Sequence, residues 1–481
     1  MNKLKKSRIY MIICIITLFG CEKKKEFKST TEIELEWVKY SEDLTYFNQV
    51  IPSLDDGYVI FGTKMISRET MNFYMGLVKI DEKGLKEWEH INNSEGYYII
   101  PELALTVSDG YIEVGDYVGY RPRNDIACSG IITKVGSDGI PAWTKHIGEI
   151  DEKGKPIWNE DSGTNQSRGC YTELAIMKEL DNGDLMGVWK AYNIRGDFIY
   201  EIIAVRVDKE GNTIWESSFD DPGYLNINHA IDTVDGILFY KSTFIDYSIS
   251  THTYTLMKIS NNGELSWITT IPDNVEEIAY NPESNEYFVL RYYSNSKQYF
   301  LEKLDNTGKH VWTKPIDKDG NYDVDSIVAF ENEIYIVGNY SEGDSIANET
   351  LGYVCKYDLE GEKIFEITLN MTSNSKSELQ ILKNSEEIIV IGRVFSGSYI
   401  DPEYNVTVNL SQPILIKIDT QGNVHWEYVV PTSNAIFIRS IIKTKDGYVV
   451  VGVGSLIEGY PNDDMLSNFI FKLREVEVKD K

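Results

Sequence analysis

Positive charge is scarce in this chain. Lysine and arginine number 47 against 75 acids, for a formal net charge of −28 at pH 7. Phosphate backbones are bound by basic surfaces, so nucleic acid is excluded as a partner. Acidity of this size mostly keeps an exported protein soluble. Cysteine is scarce too: beyond Cys14 and Cys21 near the N-terminus, only Cys128, Cys170 and Cys355 remain. An odd remainder is not a disulfide framework; at most one pair forms, and buried free thiols are the default. The six histidines, His90, His146, His229, His252, His310 and His425, share no metal-ligand spacing. Gly-x-Ser-x-Gly, a phosphate-cradling glycine loop and His-Glu-x-x-His are all missing. DKDGNYDVD at 317–325 is acid-rich, yet the first ligand position of a calcium loop would fall on Pro315 and the closing glutamate is missing. It reads as a polar connection, and neither metal nor cofactor is assigned. No long stretch has the 3.6-residue periodicity of a helix.

What is present begins at the N-terminus. Lys3, Lys5, Lys6 and Arg8 form a positive region, followed by an apolar run from Met11 to Gly20, too short for a comfortable membrane span. Leu18-Phe19-Gly20-Cys21 resembles the bacterial lipobox. That resemblance implies a signal peptide over 1–20, cleavage before Cys21, and acyl chains on its thiol and amine, the multiple-chain anchor that holds a membrane stably. The alternative is an ordinary signal peptide with Cys21 incidental. Loss of residues 1–20 takes the formal charge from −28 to −32. Residues 21–31 then read as a lipidated tether, and 32–478 as the folded part. The expected location is the cell envelope, at the outer membrane.

The folded part repeats a phrase: apolar-x-Lys-apolar-Asp-x-x-Gly-x-x-x-Trp. LVKIDEKGLKEW at 77–88, LEKLDNTGKHVW at 301–312 and LIKIDTQGNVHW at 415–426 show it plainly. Seven full copies place the aromatic at Trp88, Trp143, Trp215, Trp267, Trp312, Phe365 and Trp426. A second phrase, strand–turn–strand, precedes each copy and occurs eight times. DDGYVIFG at 55–62, SDGYIEVG at 108–115 and KDGYVVVG at 445–452 are the clearest; 182–189, 235–242, 285–292, 331–338 and 385–392 are weaker. The mismatch resolves at the ends. The eighth turn phrase is followed by NFIFKLR at 468–474 with no tryptophan, whereas EIELEWVKY at 32–40 supplies Trp37 with no preceding turn. The N-terminal strand therefore completes the last repeat. Four short strands at a period near 50 residues are propeller blades. The expected fold is all-β: a single eight-bladed β-propeller, four antiparallel strands per blade, closed by the N-terminal strand. A seven-bladed ring with one unit misread, or two smaller propellers, are the alternatives.

Features repeated in every blade are scaffold. The glycine permits positive φ in a bulged hairpin, the tryptophan fills the widening gap between blades, and the lysine stem lies along that packing surface. The phrase resembles the tryptophan-docking repeat of quinoprotein propellers, and more closely the Trp-containing propeller repeats of secreted and lipid-anchored proteins of Bacteroidota. In the quinoprotein repeat the glycine lies four residues after the aspartate; here it lies three after, as in Asp81 to Gly84. No adjacent cysteine pair is present. The resemblance thus implies a fold and an envelope setting, not a quinone.

Variable connections held by a rigid frame are where sites gather. The long ones are 63–76, 116–129, 190–200, 339–352, 394–412 and 453–467, all on one face. An insertion at 147–169, on the same face, contains IDEKGKPIW and reads as a protruding hairpin. Beyond residue 20 there are only ten arginines. Five of them, Arg68, Arg121, Arg123, Arg168 and Arg195, fall in these segments with Tyr117, Tyr120 and Trp158. Guanidinium forks bind carboxylate or phosphate, and rings stack on sugars, so this set is the candidate patch for an anionic or glycan ligand. Offsetting a very acidic surface is the alternative use of those charges. Binding or scaffolding is the leading expectation. A glycan hydrolase or lyase using acids at the central channel, and a structural partner in an envelope complex, are the rivals.

Overall fold

In the computed structural model the described residues are 31–40, 44–67, 72–92, 97–120, 126–148, 170–193, 199–221, 224–246, 251–272, 274–293, 296–316, 321–341, 350–373, 380–384, 387–401, 406–430, 437–453 and 468–477. They form eight four-stranded antiparallel sheets and no helix. Seven sheets each use four consecutive strands. The eighth orders Thr31–Tyr40 beside Asn468–Glu477, then Gly447–Val453, then Phe437–Thr444. The ends of the chain therefore meet in one blade, with Trp37 opposite Lys472. The same pairing recurs in the other seven blades: Lys79 with Trp88, Lys134 with Trp143, Arg206 with Trp215, Lys258 with Trp267, Lys303 with Trp312, Lys356 with Phe365, Lys417 with Trp426.

Eight buried apolar clusters hold the ring, one at each junction between neighbouring blades. A sheet covered on both sides needs apolar residues at successive positions, not alternate ones. That is why Tyr448-Val449-Val450-Val451 and Tyr58-Val59-Ile60-Phe61 are buried without a break. The outermost strands alternate instead; His310–Pro315 runs exposed, exposed, half-buried, exposed. The junction between the last and first blades packs Val449, Val451 and Ile470 against Phe47, Val50 and Ile60. Asn468 Oδ1 accepts from the Phe47 amide at 3.1 Å across the same junction.

The repeated phrase builds a latch between blades. In the second blade Lys134 pairs with Asp109 of its own blade's first turn at 2.8 Å. It also donates to the carbonyl of Lys209, in the Asp-x-x-Gly turn of the third blade, at 3.2 Å. Trp143 Nε1 donates to that same carbonyl at 2.9 Å. The equivalent carbonyls, at Asn261, Leu359 and Thr420, accept from Arg206, Lys303 and Lys356. Those at Glu82 and Ser137 accept from Trp37 and Trp88. The seven lysines are at most 7% exposed, and burying an ammonium requires such saturation. The turn glycine lies under the preceding blade's ring. At Gly308, with φ +76°, a Cβ would come 2.4 Å from Trp267.

One latch differs. In the eighth blade the two outer strands are Asn468–Glu477 and Thr31–Tyr40, and among the described residues no Asp-x-x-Gly turn joins them. There the carboxylate of Glu475 accepts from Lys417 at 2.7 Å and from Trp426 Nε1 at 2.9 Å.

Several connections expected to be irregular are strand over much of their length. Strands Tyr58–Ser67 and Asn72–Ile80 take most of 63–76, and Gly110–Tyr120 and Ile126–Gly136 most of 116–129. The stretch 394–412 is the end of a long hairpin of Glu387–Asp401 and Val406–Asp419, paired out to Asp401 opposite Val406. β-Branched and aromatic residues continue past the blade body there, and the ladder continues with them. In DKDGNYDVD, residues 321–325 begin the inner strand Asn321–Phe330, while 317–320 lie outside the described residues. Cys355 is buried and forms no disulfide.

Candidate functional site

The short turns gather at one end of the channel and the longer connections at the other. Of the candidate patch, Arg68, Arg121, Arg123, Arg168 and Arg195 lie outside the described residues, as does Trp158. Tyr117 and Tyr120 lie in the strand Gly110–Tyr120. The insertion lies outside the described residues from 149 to 169, and so does Cys21.

The described part contains a different feature, at the short-turn end. A cavity of about 840 Å³ is lined by the inner strands and first turns of the third to sixth blades. That volume suits a small molecule. Its walls carry Lys178, Glu179 and Asp181 from the third blade and His229 and Asp232 from the fourth. Glu277 and Tyr280 come from the fifth, and Ser326 from the sixth.

A backbone irregularity aims these side chains. Among the described residues, seven inner strands have a β-bulge at one position, and the remaining one is described only over Gln380–Asn384. An extra residue bends the strand and re-aims the side chain that follows. The residues after the bulge are Gln49, Leu103, Ile176, His229, Glu277, Ser326 and Ser440. Two of them do the same structural work. Gln49 Oε1 accepts from the amide of Ala104 in the second blade at 2.9 Å. Glu277 Oε2 accepts from the amide of Ile327 in the sixth at 2.7 Å. In both cases the amide belongs to the residue one beyond the neighbouring post-bulge position, so the geometry is shared while the chemistry differs.

Burial pushes the Glu277 carboxyl up to about 7, with the Ile327 amide and the Ser326 hydroxyl acting the other way. Ser326 Oγ lies 3.4 Å from Glu277 Oε1. Burial also lowers the basicity of His229, keeping its ring neutral, and His229 makes no hydrogen bond to the rest of the described protein. Tyr240 is held protonated by burial, with Glu276 and Glu277 adding to the effect, and donates to the Glu276 carbonyl at 2.9 Å.

The two cations on the wall are committed. Lys178 bonds Asp232 at 2.8 Å, the Thr233 carbonyl at 2.6 Å and the Gly236 carbonyl at 2.9 Å, using all three of its protons. Arg206 holds Asp184 through Nε and Nη2 and the Asn261 carbonyl through Nη1. The side-chain Oδ1 of Asn261 is buried with no donor, and the exposed carboxylate of Asp181 has no partner among the described residues. Uncommitted groups here are thus mostly acceptors. Among the described residues no cluster of three or more potential ligands is arranged for a metal ion.

This ring of bulges was not anticipated from sequence, because a bulge has no letter of its own. A signal nevertheless exists. The clear turn phrases end in glycine, at Gly62, Gly115 and Gly452, but those of the third, fourth and fifth blades end differently. They carry Trp189, Lys241 or Arg291 there instead. These are three of the four blades around the cavity.

No family model and no curated protein matches the chain. Solved structures similar to it include the WD40 domain of SCAP from fission yeast, at TM-score 0.41 and 8% identity over 92% of this chain and 98% of that one. The β-propeller domain of the Trilobed protease from Pyrococcus furiosus gives 0.40 and 9% over 82% and 97%. The phage phi92 endosialidase gives 0.34 and 9% over 82% and 72%. These proteins differ in activity, and likeness at this level carries no argument about it; the eightfold architecture rests on this chain's own sheets.

Proposed function

We propose that this protein is a non-catalytic binding or scaffold propeller of the bacterial cell envelope, anchored at the outer membrane by lipid on Cys21 and akin to the Trp-repeat lipoproteins of Bacteroidota. The positive n-region, the short apolar run and the Gly20-Cys21 junction support the anchor. The observation that carries the binding reading is the channel cavity, whose wall offers hydrogen-bonding groups that the fold itself does not use. Partners on this reading are the membrane, through the lipid, and a small molecule, glycan or protein, with no nucleic acid. Metabolic labelling with a palmitate analogue, followed by membrane fractionation, tests the anchor. Wild type is expected labelled and in the membrane fraction, and Cys21→Ala unlabelled and soluble; identical behaviour of the two contradicts it.

The arginine segments support a second binding surface, for anionic glycans, on the opposite face. On an array of neutral and acidic glycans the expected result is retention of acidic ones, lost when Arg121 and Arg123 are both replaced by alanine. Retention by the double variant overturns that surface. An enzymatic reading, hydrolase or lyase, has one observation in its favour: Glu277 faces a cavity and is poised near neutral pH, as a general acid requires. Glycan turnover lost in Glu277→Gln would establish it.

A further inference from the structure

The two carboxamide-like positions of the bulge ring pose a question. Gln49 shows that a neutral amide suffices to hold the next blade's backbone N–H. Glu277 does the same work with a carboxyl whose ionised form is disfavoured where it sits. A buried acid where an amide would serve is a cost to the fold, and proteins retain such costs at functional positions. The donor and acceptor inventory around it indicates what the acid meets. Lys178 and Arg206 are saturated by the protein, which leaves no cation for an anionic ligand. The uncommitted groups are the Asp181 carboxylate, Asn261 Oδ1, and the neutral ring of His229, which contributes one acceptor nitrogen and one N–H. Among the described residues Glu277 Oε1 has only the long contact with Ser326. Tyr280 adds a ring to the wall. A ligand that satisfies this set brings several N–H donors and positive charge.

We infer that the channel cavity between the third and sixth blades binds a small aliphatic amine, with the Glu277 carboxylate as its counter-charge and His229 as an acceptor beside it. This rests on the reading of the cavity as a ligand site. The acidity of the whole chain works in the same direction, raising the local concentration of cations around the protein.

Three four-carbon compounds separate the possibilities: putrescine, 1,4-butanediol and succinate, titrated calorimetrically into the full-length protein at pH 8. Putrescine is expected to bind, the other two at least tenfold more weakly. Glu277→Gln is expected to lose at least tenfold in putrescine affinity while melting no lower than wild type. Gln49→Glu, which places a carboxyl outside the cavity, is expected to leave the affinity unchanged. Equal binding of putrescine by wild type and Glu277→Gln overturns the assignment. Preference for succinate or butanediol overturns the amine while leaving a ligand site in place. Silence from all three also overturns the amine, and silence from the glycan array as well removes the binding reading on which it rests.

Discussion

The rim and the channel of this ring are built on opposite plans. On the rim the blades follow one plan. A buried Lys or Arg takes an acid from its own blade or, at the closure, from the next, and seven of the eight outer-strand rings sit on the next blade's turn glycine, Trp426 meeting Glu475 instead. In the channel the backbone repeats but the side chains do not. One bulge position carries glutamine, leucine, isoleucine, histidine, glutamate and serine in different blades. A stacked-blade architecture demands identical junctions, since each blade can bury its faces only against its neighbours. The post-bulge position is under no such demand: Leu103 and Ile176 pack against junction clusters, whereas His229, Glu277 and Ser326 line the cavity. Sameness marks what holds the ring, and variation marks where it can act.

Breaking the rim should be costly anywhere. Gly308→Val puts a side chain into the Trp267 ring at a positive φ, and a loss of about 4 kcal/mol in urea unfolding is expected. The closing latch should behave like the others although it is made of a side chain. Glu475→Ala strips Lys417 and Trp426 of their shared acceptor, and a loss of about 2–3 kcal/mol is expected. A loss below about 0.5 kcal/mol would mean that the last junction is held by its apolar cluster alone. The channel should respond to charge rather than to shape. Gln49→Glu keeps the size and the acceptor, and should cost about 1–2 kcal/mol at pH 8 and almost nothing at pH 4, where the new carboxyl is protonated.

The rim was legible in the sequence because each of its roles demands a particular residue. Only glycine fits beneath the ring at φ +76°, and only a large aromatic spans the gap. The closure was legible for a related reason: Trp37 lacked a turn and NFIFKLR lacked a tryptophan. What could not be read was who answers the lysine. The acid is Asp109 in one blade, Glu286 in another and Glu475 of the next blade in a third, at unequal sequence separations. The cavity was less legible still. Glu277 is one acid among 75, and its environment comes from a bulge, a neighbouring amide at Ile327 and burial, none of which is written locally. Nor does sequence show where a ladder stops: β-formers such as Val406, Thr407 and Val408 carry the hairpin well past the blade body.

The distinction between structural and functional positions stands or falls on Glu277. Its carboxyl is held at about 7 in the folded chain against an ordinary 4.5, so the folded state binds the proton more tightly than the unfolded one. The resulting stability is fully present below pH 4.5 and is lost as pH rises through 7, an interval corresponding to roughly 3 kcal/mol. The most direct measurement is the unfolding free energy of wild type and Glu277→Gln in urea at pH 4 and pH 8. The variant is predicted to match wild type at pH 4 and to exceed it by about 2–3 kcal/mol at pH 8. A variant less stable than wild type at pH 8 would show that the fold needs this carboxylate, and would contradict its assignment to a ligand.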